Sequence, residues 1–143
     1  MATSGRATTR NVIIAFIAGF LAVLVFHQVM SSLINGRMQW NMGPASAAAF
    51  GAFGLPQVVN QAFWGGVWGI VFAWMAPKFP KGPLWWVASI AFGAILLPLV
   101  SWYVVPALKG LPLGPRNAMN SMLINGAWGL GMGVFWKLFN RAA

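Results

Sequence analysis

The chain has 143 residues, of which 59% are hydrophobic and 6% charged, far below the roughly 25% charged residues of a soluble globular domain, and this composition belongs in lipid. Nine Lys and Arg residues and one His stand against no Asp, no Glu and no Cys, for a formal charge of +9 at pH 7. These absences exclude paired-carboxylate hydrolysis, an Asp-oriented Ser–His nucleophile, thiol redox chemistry, thiolate metal sites and carboxylate-based ion coupling.

The leader Met1 to Asn11 is rich in Thr and Arg and lacks acids, which is faintly like a mitochondrial transit peptide but very short for one. The first apolar stretch, residues 12–34, is longer than a secretory h-region and no small-x-small cleavage site closes it cleanly, so a retained helix is expected. The segment from Gly43 to Pro56 is Ala, Gly and Phe without charge, and it is predicted to be interfacial or re-entrant. A second apolar stretch covers 57–75, a third 84–106 and a fourth 119–139. Each is long enough to span about 30 Å of hydrocarbon at about 1.5 Å per residue. Pro98 is expected to kink the third helix, because it removes a backbone donor and crowds the preceding turn.

The predicted fold is therefore an all-α integral membrane protein with four transmembrane helices in one domain. Arg6, Arg10, Lys78, Lys81, Lys137 and Arg141 fall on one side of it, and Arg37, Lys109 and Arg116 on the other. This bias predicts cytoplasmic N and C termini in a bacterial inner membrane. The basic residues sit singly between apolar runs, which fits topology anchors and contacts to anionic lipid headgroups and does not fit nucleic acid. Trp40, Trp85, Trp86, Trp102 and Trp136 lie near predicted helix ends, where an amphipathic ring sits at headgroup level.

Shifting the second helix by 64 positions lays Gln61 on Asn125, Ala62 on Gly126, Trp64 on Trp128, Gly65 on Gly129 and Gly69 on Gly133. A shift of 74 lays Ala15 on Ser89, Gly19 on Gly93 and His27 on Ser101. Two readings stand: a parallel duplication of a two-helix hairpin, or a shared small-residue composition. Ala62, Gly65, Gly66, Gly69 and Ala73 form one stripe at helical spacing, and Gly126, Gly129 and Gly133 form its counterpart. Membrane helices associate through close backbone approach, so both stripes are predicted to pack against other helices, of the same chain or of a partner.

His27, Gln28, Asn60, Gln61, Ser101 and Asn125 are predicted to share one outer level. Buried amides and imidazoles must be hydrogen-bonded, so this polar layer serves either as interhelical glue or as the lining of a small outward-facing vestibule. His27 is also the one candidate ligand for a haem or pigment metal, and such a group would need a second ligand from elsewhere. No cofactor is expected.

The strings Phe26-His27-Gln28, Trp40-Asn41-Met42, Gly54-Leu55-Pro56-Gln57, Ala62 to Gly69 and Asn125 to Gly129 together resemble an uncharacterised family of short bacterial inner-membrane proteins. The resemblance implies a four-helix membrane fold and brings no activity. The functional expectation is a non-enzymatic structural or accessory membrane protein, either a homo-oligomer or a small subunit of a larger membrane complex. The alternatives are a small-solute transporter or channel and a haem or pigment binder.

Overall fold

A helix satisfies its own backbone polar groups segment by segment, which long apolar runs require. The computed structural model describes residues 2–36, 57–115 and 117–142, and among them every regular element is helical and none is a strand. The segment 43–56, Trp40, Arg37 and Arg116 lie outside the described residues.

Helix α1 runs through Ala2–Ala22, a π-helical turn at Val23–His27, and Gln28–Asn35. Helix α2 is Gln57–Met75. A 3-10 turn at Ala76–Lys78 leads to α3, which runs through Pro83–Ala91, Phe92–Leu96, Leu97–Leu99, Val100–Val104 and Val105–Lys109. Helix α4 is Ala118–Ala142. Two stretches, Thr9–Asn35 and Pro83–Lys109, are each 27 residues long and apolar enough to cross a membrane.

In α3 the segments on both sides of Pro98 are π-helical. Proline has no N–H for the ladder and its ring crowds the turn before it, and a wider turn accommodates both effects.

The two apolar helices end alike. Gly36 and Gly110 both take a left-handed conformation, φ 68°, at the position after the last helical residue. Glycine adopts this conformation without a Cβ penalty, and it stops the helix. The 74-position shift relates these two residues as it relates Gly19 to Gly93.

Helices α1 and α2 pack antiparallel through small residues. A Cβ on Gly19 would run into the Gly65 carbonyl oxygen and lie 3.0 Å from Gly69 Cα, and one on Gly69 would run into the Ala15 carbonyl oxygen. Helices α3 and α4 repeat this contact: a Cβ on Gly93 would meet the Asn125 carbonyl oxygen and lie 2.9 Å from Gly129 N, and one on Gly129 would meet the Ser89 carbonyl oxygen. In three dimensions Gly65 thus corresponds to Asn125 and Gly69 to Gly129, a shift of 60, one helical turn away from the 64-position alignment. The shift of 60 also lays Gly66 on Gly126 and Trp68 on Trp128.

The pairs join through α1 and α4. Trp128, fully buried, donates from Nε1 to the Gly19 carbonyl at 3.1 Å. Phe26 lies against Gly131 and edge-on to Phe135, with ring centroids 5.8 Å apart. Residue numbers rise together along this contact, so α1 and α4 do not meet there as the antiparallel neighbours of a simple up-and-down bundle. Beneath it, buried Phe72 makes edge contacts with Phe79, Trp85, Phe92 and Trp128 at 5.3 to 6.5 Å. Such pairs contribute about 0.5–1.5 kcal/mol each beyond burial. At the same end, Lys137 Nζ sits 4.1 Å from the Trp85 ring centroid and Lys78 Nζ 4.7 Å from that of Trp74, favourable cation–π geometry.

Candidate functional site

The polar residues singled out in the sequence fall into two groups, one at the far end of each helix pair. In the first pair Gln28 is 2% exposed and its Nε2 donates to Gln61 Oε1 at 3.0 Å. Ser32 Oγ donates to the Gln28 carbonyl at 2.7 Å, which anchors the same turn. Asn60 is half-buried beside Gln61 in sequence. His27 belongs to the π-helical turn, and its Nδ1 is buried without a hydrogen-bond partner among the described residues.

In the second pair Asn125 turns to its own helix, donating from Nδ2 to the Ser121 carbonyl at 2.8 Å and lying 3.4 Å from Ser121 Oγ. Ser101 is exposed and borders a pocket of about 260 Å³, which is also lined by Trp102, Pro106, Lys109, Leu111 and Ser121. The loop after α3 folds back here. Pro106 has no N–H to offer the Trp102 carbonyl, and the Gly114 N–H donates to that oxygen at 3.0 Å. The Leu111 N–H donates to the Pro106 carbonyl at 2.9 Å, which closes the end of the helix.

Of the small-residue stripes, Ala62 is fully buried, Gly65 and Gly69 face Gly19, and Gly66 faces the Phe16 ring. Ala73 is half-buried. On α4, Gly129 faces Ser89 and Gly93, a Cβ on Gly126 would lie 3.3 Å from Ala94 Cβ, and Gly133 faces Ser89 Oγ and the Trp85 and Trp86 rings.

Three participants, two of them buried, were not singled out by sequence reasoning as site residues. Ser89, fully buried, donates from Oγ to the Gly129 carbonyl at 2.6 Å and bridges α3 to α4. Trp128 supplies the hydrogen bond between pairs, and Ser121 links Asn125 to the pocket. The 74-position alignment already carried a signal for Ser89, a polar residue laid on Ala15 in an otherwise apolar helix. Trp128 was marked in the sequence only as the match of Trp64 in the 64-position alignment, with nothing to say that its indole would bond across the pairs.

The two corresponding positions in each pair now read against one another. The shifts of 74 and 60 place Trp102 where the first pair has Gln28, and Ser121 where it has Gln61. The first pair is closed at this place by an amide–amide bond, and the second has a pocket.

No family model and no solved structure matches the chain. It is similar to two curated proteins named glucans biosynthesis glucosyltransferase H. That of Pectobacterium carotovorum is 34% identical over 96 residues, and that of Pectobacterium atrosepticum 33% identical over 96 residues. Each match covers 62% of this chain and 10% of the relative, so the chain spans about a tenth of the length of the curated relatives it matches.

Proposed function

We propose that this chain is a non-enzymatic integral membrane protein that acts as a structural or accessory component, assembled with copies of itself or with a larger membrane complex. The observation that carries this reading is the pairing of a glycine-knit interior with an apolar exterior. Helix contacts made of backbone against backbone work in lipid, where apolar side chains gain nothing from clustering. Meanwhile Leu33 is 73% exposed, Trp74 70% and Val87 60%, and only 33% and 22% of the two most apolar windows is buried. A soluble protein buries such helices.

In this reading all four helices cross a bacterial inner membrane with both termini in the cytoplasm, and the segment 43–56 lies at the outer surface. The test uses the absence of cysteine. Single cysteines placed at Gly36, Gly110, Lys81 and Asn140 are labelled in intact cells with a membrane-impermeant thiol reagent. Labelling at Gly36 and Gly110 alone supports four spans with both ends inside. Labelling at Lys81 as well as Gly36 breaks the topology.

The similarity to glucan glucosyltransferases favours one partner class, a membrane enzyme that assembles glycans. Affinity purification at native level, with co-purifying proteins identified by mass spectrometry, tests it. A glycosyltransferase in constant ratio supports an accessory role. Recovery with copies of itself alone supports the homo-oligomer. The transporter reading has less to draw on, because Gln28 and Gln61 are bonded to each other.

A further inference from the structure

We propose that the pocket between the far ends of α3 and α4 binds the phosphate of an anionic phospholipid headgroup. The inference rests on the membrane reading above and assigns it one specific lipid site.

The two helix pairs differ at their far ends. A Gln28–Gln61 bond fills this position in one helix pair, whereas Trp102 and Ser121 leave space in the other. The space is held open by backbone: the Gly114 N–H bond to the Trp102 carbonyl fixes the 110–114 loop, which carries Leu111 into the wall.

The pocket is lined by one ammonium, Lys109, and two hydroxyls, Ser101 and Ser121. Ser121 Oγ takes the Asn125 amide as acceptor, so its own proton is left to donate. An ammonium with hydroxyl donors suits phosphate oxygens. The chain contains no Asp or Glu, so no acidic side chain competes with an anion there.

The rest of the pocket wall is apolar, from Trp102, Val105, Pro106 and Leu111, and suits the glycerol and upper acyl chains of a lipid. Tyr103, Leu108 and Met119, each within two residues of a lining residue in sequence, are exposed. A volume of about 260 Å³ suits a headgroup, since sites for drug-sized ligands run from about 300 to 1,000 Å³.

The test offers the purified full chain an equimolar mixture of phosphatidylglycerol and phosphatidylcholine in detergent and counts bound lipid by native mass spectrometry. The wild type is expected to retain phosphatidylglycerol selectively. Lys109→Gln is expected to reduce that selectivity about tenfold, the loss of one charge-assisted bond, and Ser121→Ala to reduce it less. The exposed Lys81→Gln, at the other end of the molecule, is expected to leave it unchanged. A double replacement, Trp102→Gln with Ser121→Gln, copies the closed end of the first pair and is expected to abolish it.

Selectivity that survives Lys109→Gln, or falls equally with Lys81→Gln, overturns the site. Displacement of the lipid by millimolar inorganic phosphate assigns the pocket to free phosphate and overturns the lipid assignment. Flotation with vesicles is measured in parallel: a chain that floats without selectivity refutes the pocket alone, while one that does not float refutes the membrane reading.

Discussion

In the first helix pair the far end is shut by two amides 3.0 Å apart, while in the second the matching residues are an indole and a hydroxyl beside a pocket of about 260 Å³. Near their middles the pairs are the same: Gly19 over Gly65 and Gly69, Gly93 over Asn125 and Gly129. Backbone against backbone leaves no slack, so the middle admits one register and few residues. The far ends are joined by side chains, which are exchangeable so long as each polar group keeps a partner. Even the carbonyl that follows this logic has changed donors. Gln28 O takes the Ser32 hydroxyl, and Trp102 O takes the Gly114 N–H.

The largest effects should come from the shared middle. Gly19→Leu and Gly93→Leu place bulk against a carbonyl oxygen and are each expected to abolish the folded protein, measured by cellular level and protease resistance. The milder Gly19→Ala and Gly93→Ala should destabilise by about 1–3 kcal/mol or more, and by similar amounts if the pairs are equivalent. A tolerated alanine at either position alone would break the equivalence.

Trp128→Phe removes the buried donor that joins the pairs and leaves the ring cluster largely in place. A loss of about 1–3 kcal/mol is expected in detergent unfolding. Full stability in this variant would mean that the contact between the pairs is held by packing alone.

Ser89→Ala sharpens the comparison from the other side, since it gives the second pair the residue that the first has in Ala15. The expected loss is about 1 kcal/mol, the net worth of one ordinary hydrogen bond. Introducing the hydroxyl by Ala15→Ser should find the space near Gly69 already taken and gain nothing.

The smallest effect is expected at the closed end. Gln61→Leu should cost about 0.6 kcal/mol, the average for a polar contact between membrane helices, and Gln28→Leu somewhat more because Gln28 is the more buried partner. Replacing both together should recover part of the loss, read as a coupling energy in a double-mutant cycle.

Much of the molecule's character was legible in the residue string. Apolar run length predicted four membrane-spanning helices; among the described residues every regular element is helical, and two stretches are long and apolar enough to cross a membrane. These are properties of composition and local hydrogen bonding, which each segment settles for itself. The pairing of Gly19 with Gly93 was also visible as an alignment, since both interrupt apolar helices at one spacing.

The register of the second helices was present in the sequence but obscured by a rival alignment. The 64-position shift matches Trp64, Gly65 and Gly69 letter for letter, while the shift of 60 matches Asn60, Gly66, Trp68 and Gly69. The folded pairs use 60, where a carbonyl, not a side chain, is the surface that each glycine meets. Asn125 can stand in for Gly65 for this reason: what Gly93 touches is the Asn125 backbone. Of the residues predicted to share one outer level, His27, Gln28, Asn60, Gln61, Ser101 and Asn125, the structure joins Gln28 to Gln61 within the first pair and sets Ser101 beside the pocket of the second, contacts that only folded helices reveal.

Composition and periodicity by themselves determined that this chain is helical and apolar, because those depend on residues near one another in sequence. The tertiary structure alone decided which glycine meets which carbonyl, which amides find each other and where a pocket is left. Those outcomes depend on contacts between distant segments, which interactions among residues near one another in sequence do not fix.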